Sequence, residues 1–422
     1  MDNLSHSVAG LLAGEILQRA LPQEAEPGNT AIRHRLLLLS CCLASNFPDL
    51  DLFLTSLLPA PLGYLLHHRG HTHTILYALP QALLLALLTW ALWPAARRLL
   101  RQSRAARAGW ALALCTGFAL HLLMDYLNSY GLHPFHPFAS RWLYGDMVFI
   151  LEPVFWTAFG VPMFMLLPRK WLRWALPALL AVALLLFSMR GFLAWQSLLA
   201  LFAIGALLAR LQRRQQGARQ LSALLLAAGL GLGFVAVQAL AAHAAREAIV
   251  DALGRRDPGA KFIDAALTAF PSNPACWNVV ALQARAGEGS YRISRGVLSI
   301  APRWMPALSC PRSFIAGAAL PAASDAVALL WQEDASLTRL RQLARDNCHF
   351  NAWMRFARMP LLEGSRASDA RFASGLRDNF STLELNAFAG NACERRVPQW
   401  DYPRADLLTA PAPQTGPARA QY

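Results

Sequence analysis

Six apolar runs set the plan of the first 242 residues: Thr74–Trp93, Gly109–Leu127, Met147–Pro168, Trp174–Met189, Gly191–Ala209 and Leu221–Ala242. Each is near the length a helix needs to cross a bilayer, with Trp174–Met189 the shortest. Ahead of them stand two briefer helix candidates, Leu4–Ala20 and Leu36–Phe47, joined by the polar link Leu21–Thr30. They suit a hairpin that penetrates part of the bilayer and closes where Pro48, Asp49 and Asp51 break the helix. Beyond His243 the pattern changes. Lys261–Phe270 reads as a short helix ended by Pro271, and Ser324–Asn347 has helical apolar spacing. Cys276–Ala284 and Ser290–Ile300 flank Arg285–Gly289 as a hairpin would, while Ala352–Met359 and Phe380–Leu385 read as strands. After Arg404 the composition turns to Ala, Pro, Gln and Thr, which predicts disorder.

The expected fold is therefore mainly α: a polytopic helical membrane bundle of about six full spans plus a short N-terminal helical hairpin, with an α+β C-terminal extramembrane domain. The expected divisions are a membrane-embedded helical domain over 1–190, two further transmembrane helices over 191–243, an α+β domain over 244–404, and a disordered tail over 405–422.

Composition agrees with a membrane chain: 55% of residues are hydrophobic and only 15% charged, with a mean hydropathy of +0.31. The net charge of +14 needs no nucleic-acid partner, and none is expected, because the basic residues sit in alternate loops. Arg97, Arg98, Arg101, Arg104 and Arg107 fill one loop, Arg169, Lys170 and Arg173 another, and Arg210, Arg213, Arg214 and Arg219 a third. The turns between carry Arg141 with Asp146, or Arg190. Under the positive-inside rule the basic loops are cytoplasmic. The last span then runs outward, and in a bacterium the C-terminal domain is periplasmic, the expected localisation being a multi-pass inner-membrane protein. Four of the seven cysteines, Cys276, Cys310, Cys348 and Cys393, lie in that domain, where an oxidising compartment would allow two disulfides.

The same topology gathers polar residues at the outer end of the bundle. His67-His68-Arg69-Gly70-His71-Thr72-His73 stands directly before a span, and His121 and Asp125 share one face of another at i and i+4. His6, Asp49, Asp51, His133, His136 and Glu152 fall at the same end. Imidazole with carboxylate is the ligand set of divalent hydrolytic metal centres. Plainer roles exist for each piece: a cap for Asp49 and Asp51, interfacial anchoring for the histidines and Arg69, hydrogen bonding between helices for His121, Asp125 and Glu152. Their convergence on one face favours a site.

The start Met1-Asp2-Asn3-Leu4-Ser5-His6, the turn Pro48-Asp49-Leu50-Asp51, the block His68–His73, the pair His121/Asp125 followed by Tyr130-Gly131, Pro137-Phe138 and Glu152-Pro153 together resemble the YdjM family. The resemblance covers roughly residues 1–190 and implies a bacterial inner-membrane, metal-dependent hydrolase. That family is in turn distantly similar to zinc-dependent phospholipase C and the S1/P1 nucleases. It implies His6, Asp49, His68, His73, His121 and Asp125 as metal ligands, with Asp51 in support, and Zn²⁺ as the metal, Mn²⁺ being the alternative.

The expected function is hydrolysis of a phosphoester, with a membrane phospholipid as candidate substrate. The metal would lower the pKa of its water to give hydroxide, Asp51 or Glu152 would take the proton, and Arg69 would stabilise developing charge. The alternative is a non-catalytic membrane scaffold or regulator with a structural metal and a periplasmic protein partner held by the C-terminal domain.

Overall fold

Asp2 opens the chain as a helix cap, its carboxylate accepting from the Ser5 backbone N–H. Helix α1 (Asn3–Ala20) turns through a polar link into α2 (Pro27–Ala44), which starts on proline at its first position. In the computed structural model, which describes residues 1–214, 221–285, 289–311, 319–321, 324–372, 379–388 and 392–409, α2 continues into a 3-10 segment, Phe47–Leu57. There follow α3 (Leu62–His67), α4 (Ile75–Leu92), the basic α5 (Pro94–Gln102), α6 (Arg104–Tyr126), α7 (Pro153–Met165), α8 (Lys170–Met189), α9 (Trp195–Arg214) and α10 (Ser222–Arg256).

Six helical segments are long and apolar enough to cross a membrane: Pro27–Leu57, α4, α6, α8, α9 and α10. The total matches the sequence expectation, but its members differ. The run Met147–Pro168 holds only the thirteen-residue α7, because Glu152 and Pro153 fix the helix start and the residues before them form irregular, bent chain. The second helix of the expected short hairpin instead reaches spanning length through the 3-10 turns around Pro48. On α4 and α8 most large apolar side chains face outward, among them Leu79, Leu83, Leu87, Leu179 and Leu186, a surface suited to lipid.

Helix α10, about 52 Å long at 1.5 Å per residue, exceeds the bilayer core of about 30 Å. Its last turns, Ala241 to Leu253, pack on a four-stranded antiparallel sheet in the order β1 (Lys261–Phe270), β2 (Asn273–Arg285), β3 (Ser290–Ser299), β4 (Val327–Ser336). Alternate strand residues point the other way. Ala266, Val280, Leu282, Tyr291 and Ile293 pack with α3, Tyr130 and Trp142 of the helical domain and with α11 (Leu337–Asp346) and α12 (Cys348–Met354). A small sheet, β5 (Pro360–Glu363), β6 (Arg366–Asp369) and β7 (Leu383–Glu384), and a last helix, α13 (Ala405–Leu408), complete the described chain.

Four stretches of the C-terminal domain differ from expectation. Lys261–Phe270 is strand β1, not a helix; both of its faces are covered, so its apolar positions run on without the alternation that marks a half-exposed strand. Ser324–Asn347 is a strand followed by a helix, the break falling at Ser336, which caps α11. Ala352–Met359 begins inside helix α12, capped by Asn347, and only Leu383–Glu384 of the run Phe380–Leu385 pairs as a strand. The hairpin of β2 and β3 forms in register from Cys276↔Ser299 to Arg285↔Ser290. Cys276 pairs with Cys310 and Cys348 with Cys393. Arg219, the turn residues 286–288 and residues 410–422 of the expected disordered tail 405–422 lie outside the described residues, whereas Ala405–Leu408 at the start of that tail forms α13, with Leu407 buried.

Candidate metal centre

Four chain segments meet at one end of the bundle: the start of α1, the 3-10 turns after α2, the loop between α3 and α4, and the last turns of α6. Close approach of three helices makes this possible. The Cβ that Gly10 of α1 lacks would lie 2.9 Å from the Cys41 carbonyl oxygen of α2, and that of Gly117 of α6 would lie 2.6 Å from the same atom. Ser45, capping α2, donates from Oγ to the His6 carbonyl at 2.9 Å, and its own carbonyl accepts from His121 Nδ1 at 2.8 Å.

That last bond fixes the His121 tautomer and leaves the Nε2 lone pair free. His73 is oriented the same way, its Nδ1 lying 3.1 Å from Asp51 Oδ2. The two Nε2 atoms face each other at 2.9 Å. Around them stand Asp49 Oδ1, 3.4 Å from His73 and 3.8 Å from His121, and Asp125 Oδ2, 3.2 and 3.6 Å away. His73, His121 and Asp125 have no exposure, and Asp125 Oδ2 accepts no hydrogen bond. Lone pairs and carboxylate oxygens turned on one another, out of water, repel unless a cation sits between them. Although burial lowers it, the His73 imidazole is carried up to about 10 by its contacts with Asp125, Asp49 and Asp51, so a proton on Nε2 and a metal ion compete for the same position between the two rings. The residues therefore fit a divalent metal: the ligand-capable atoms of Asp49, His73, His121 and Asp125 all lie within 4.8 Å of one another, and Asp49, Asp51 and His68 form a second such group.

These residues fall within a region of recognisable ancestry, since positions 1–195 match the YdjM inner membrane protein family. No curated protein and no solved structure matched the chain. The YdjM region ends as α9 begins, so α9, α10 and the sheet domain lie beyond it.

Within the YdjM region the other candidates take distinct posts. His6 stacks on His121 at 4.2 Å between ring centres, with Nε2 3.3 Å from Asp125 Oδ1, beside the four-atom group rather than in it. The Met1 amino group also bonds Asp125 Oδ1. His68 Nδ1 lies 3.0 Å from Asp51 Oδ1. Asp51 is a hub, accepting further from the Arg69 backbone N–H at 2.9 Å and Thr72 Oγ1 at 2.7 Å. Arg69 is buried with a left-handed φ of 57°, a conformation that the Asp51 bond holds in place. Its guanidinium donates to Asp125 Oδ1 and Asn128 Oδ1, both at 2.9 Å, and lies over the Tyr130 ring at 4.8 Å.

Glu152 is not brought to this group. It caps α7 through the Val154 N–H and accepts from the Ser272 hydroxyl at 2.6 Å and backbone N–H at 3.2 Å, joining the helical domain to the sheet. Burial pushes its carboxyl up to about 7. The proton-accepting role expected of it therefore has no support in its position. His71, His133 and His136 instead gather around Trp400, at ring distances of 4.7, 3.8 and 4.9 Å. Sequence reading missed Ser45, Thr72 and Asn128. Ser45 reaches His121 through its main-chain carbonyl and His6 through its hydroxyl, contacts that no local pattern signals; Asn128, three residues beyond Asp125, could have been found by following the chain just past the end of that helix.

Proposed function

We propose that the YdjM region holds Zn²⁺ between His73 Nε2, His121 Nε2, Asp49 and Asp125, and that the protein is a hydrolase of phosphoester bonds at the outer face of a bacterial inner membrane. The observation that carries this is the pair of opposed imidazole lone pairs bracketed by two carboxylates. Tetrahedral zinc with ligand bonds of about 2.0–2.1 Å has ligand-to-ligand edges of about 3.4 Å, and the edges measured here run from 2.9 to 3.8 Å. Two nitrogens with two oxygens suit zinc better than Mn²⁺, which favours oxygen-rich octahedra. A bound zinc would supply Lewis-acid activation of water and of a phosphoryl oxygen.

The chain's own groups divide the remaining work. Asp51 is already saturated with donors, so it positions His68 and His73 rather than accepting a proton itself. His68, with Nδ1 turned to Asp51 and its side chain 12% exposed, presents Nε2 as the proton acceptor on the open side of the group. Arg69 is committed to Asp125 and Asn128, so it sets the carboxylate and lowers the negative charge that a phosphate must approach. The outward orientation is supported by charge, since α5, the α7–α8 link and the end of α9 carry the basic residues at the opposite end of the bundle.

The test is metal analysis of the detergent-purified protein by mass spectrometry, paired with hydrolysis of bis-p-nitrophenyl phosphate and phospholipids. His73→Ala and His121→Ala should lose the metal, whereas His68→Asn should keep it and lose about 10²-fold or more in kcat. A metal-free wild type, or ligand variants with undiminished metal, would sink the site; metal without phosphoesterase activity would leave it structural.

A further inference from the structure

Beside the metal group, and closed over by the C-terminal sheet, lies a cavity of about 360 Å³. The two share a wall. Tyr64 packs on His68 at 5.0 Å, Tyr130 lies under Arg69, and Asn128 holds the Arg69 guanidinium. The roof comes from outside the YdjM region. Thr268 and Asn278 are opposite each other on β1 and β2, and Arg295 of β3 lies diagonally next to Asn278, since Asn278 pairs with Val297. All three continue the sheet face that carries Ala266, Val280 and Ile293 into the apolar core, so polar side chains replace apolar ones just where that face meets the cavity.

Arg295 is 7% exposed, and its Nη1 has no hydrogen-bond partner. No carboxylate lines the cavity among the described residues, and the other arginine there, Arg371, is bound to Asp369. Asn128 Nδ2, Tyr130 Oη and Asn278 Oδ1, also lining the cavity, are unpartnered too. A buried guanidinium with no counter-charge among the described residues is costly, and burial draws it down to about 10. Three of these atoms, Arg295 Nη1, Asn128 Nδ2 and Tyr130 Oη, are donors, and unmade donors gathered in one cavity describe a receptor for an anion, while Asn278 Oδ1 is an acceptor left for a protonated oxygen. Apart from Ser129 the rest of the lining is apolar or aromatic, with Phe372, Phe380 and Val148, and it reaches Ile150, which is 42% exposed at the end of the bundle where α7 begins.

We propose that this cavity binds the phosphate headgroup of an anionic amphiphile, with Arg295 as its counter-charge and the apolar tail leaving past Ile150. This gives the hydrolase reading a substrate class and rests on it for any effect on turnover; binding itself does not need the metal. The C-terminal domain thereby becomes part of substrate recognition, and Arg295 discriminates among headgroups.

The experiment uses the full chain in dodecyl maltoside, titrated with dodecyl phosphate, dodecylphosphocholine and inorganic phosphate, in wild type and in His73→Ala, which cannot hold the metal. Saturable binding of dodecyl phosphate in both backgrounds is expected, tighter than that of the other two probes. Arg295→Met, which removes an unpaired buried charge and should not lower the melting temperature, is expected to weaken dodecyl phosphate about ten-fold or more, and Arg295→Lys by less. Should Arg295→Met fail to fold, the lysine variant and Asn278→Ala decide by the same readout. Unchanged affinity in the folded variants, or equal affinity for the zwitterionic probe, overturns the proposal. Inorganic phosphate bound as tightly as dodecyl phosphate would also overturn it, assigning the cavity to free phosphate. Because His73→Ala reports without metal, a failed metal site leaves this result standing, and a failed cavity leaves the metal analysis standing.

Discussion

At the scale of single residues, position separates groups that look alike in the sequence. Asp51 and Glu152 are both acids at the same end of the helical bundle, yet one is a hub of the candidate metal group and the other a bond between domains. Glu152 makes this testable through pH. Its carboxyl sits near 7 in the folded protein against an ordinary 4.5, so between those values the native state keeps a proton that the unfolded state has lost. Stability is therefore highest below about pH 4.5 for this group, falls as pH rises, and levels off above about 7, a loss of a few kcal/mol. Glu152→Gln can still accept from Ser272 and has no charge to bury. Its melting temperature should exceed that of wild type at pH 8 and converge with it at pH 5; parallel curves for the two proteins would remove the buried carboxyl as the cause. The metal content of this variant should equal that of wild type, in contrast with His73→Ala.

At the scale of elements, the helices that matter here are held by small residues. Gly10 and Gly117 let α1 and α6 approach the same carbonyl of α2, and through that approach His6, His121 and Asp125 reach Asp49 and His73. Gly117→Val leaves every candidate ligand in place but forces α6 outward at a cost of about 1–3 kcal/mol. Metal occupancy should fall as it does in a ligand variant, whereas Gly233→Ala, where an added Cβ meets nothing within 4 Å, should change neither occupancy nor stability. Full occupancy in Gly117→Val would mean that the group tolerates a shifted helix. The membrane helices and the ligand-rich segments were legible because hydropathy reports spans directly and alternating basic loops sort their ends. The hairpin of β2 and β3 was legible too, from its turn, but β1 was not, because it buries both faces and its Ala-rich run carries neither period. The partners of the site, Ser45 through its carbonyl and Arg295 through the sheet register, depend on contacts between segments far apart in the chain, and no local pattern encodes those.

At the scale of the molecule, the C-terminal domain is locked to the helical bundle rather than tethered to it. Arg358 is buried between Asp146 of the helical domain and Asp264 of β1, at 2.8 and 2.7 Å. Trp400 donates to the Leu66 carbonyl at 2.9 Å and fills the space between His71, His133 and His136. The Cys348–Cys393 bond ties α12 to the segment that carries Trp400, and Cys276–Cys310 closes the other end of the sheet. Both bonds belong to an oxidising compartment, so they test the proposed orientation and the cover at once. Of the seven cysteines, Cys41, Cys42 and Cys115 are free. Protein denatured without reductant should therefore take up three maleimides per chain, and seven after reduction. Seven without reductant would place the domain in the reducing cytoplasm and reverse the membrane orientation. Reduction of the folded protein should in turn loosen the Trp400 segment without melting the bundle, so a chelator should strip the metal several-fold faster, while hydrogen exchange in α2 and α6 stays as slow as before. Equal stripping rates in the oxidised and reduced proteins would show that the Arg358 bridge and the apolar contact with the sheet hold the cover without help from the disulfides.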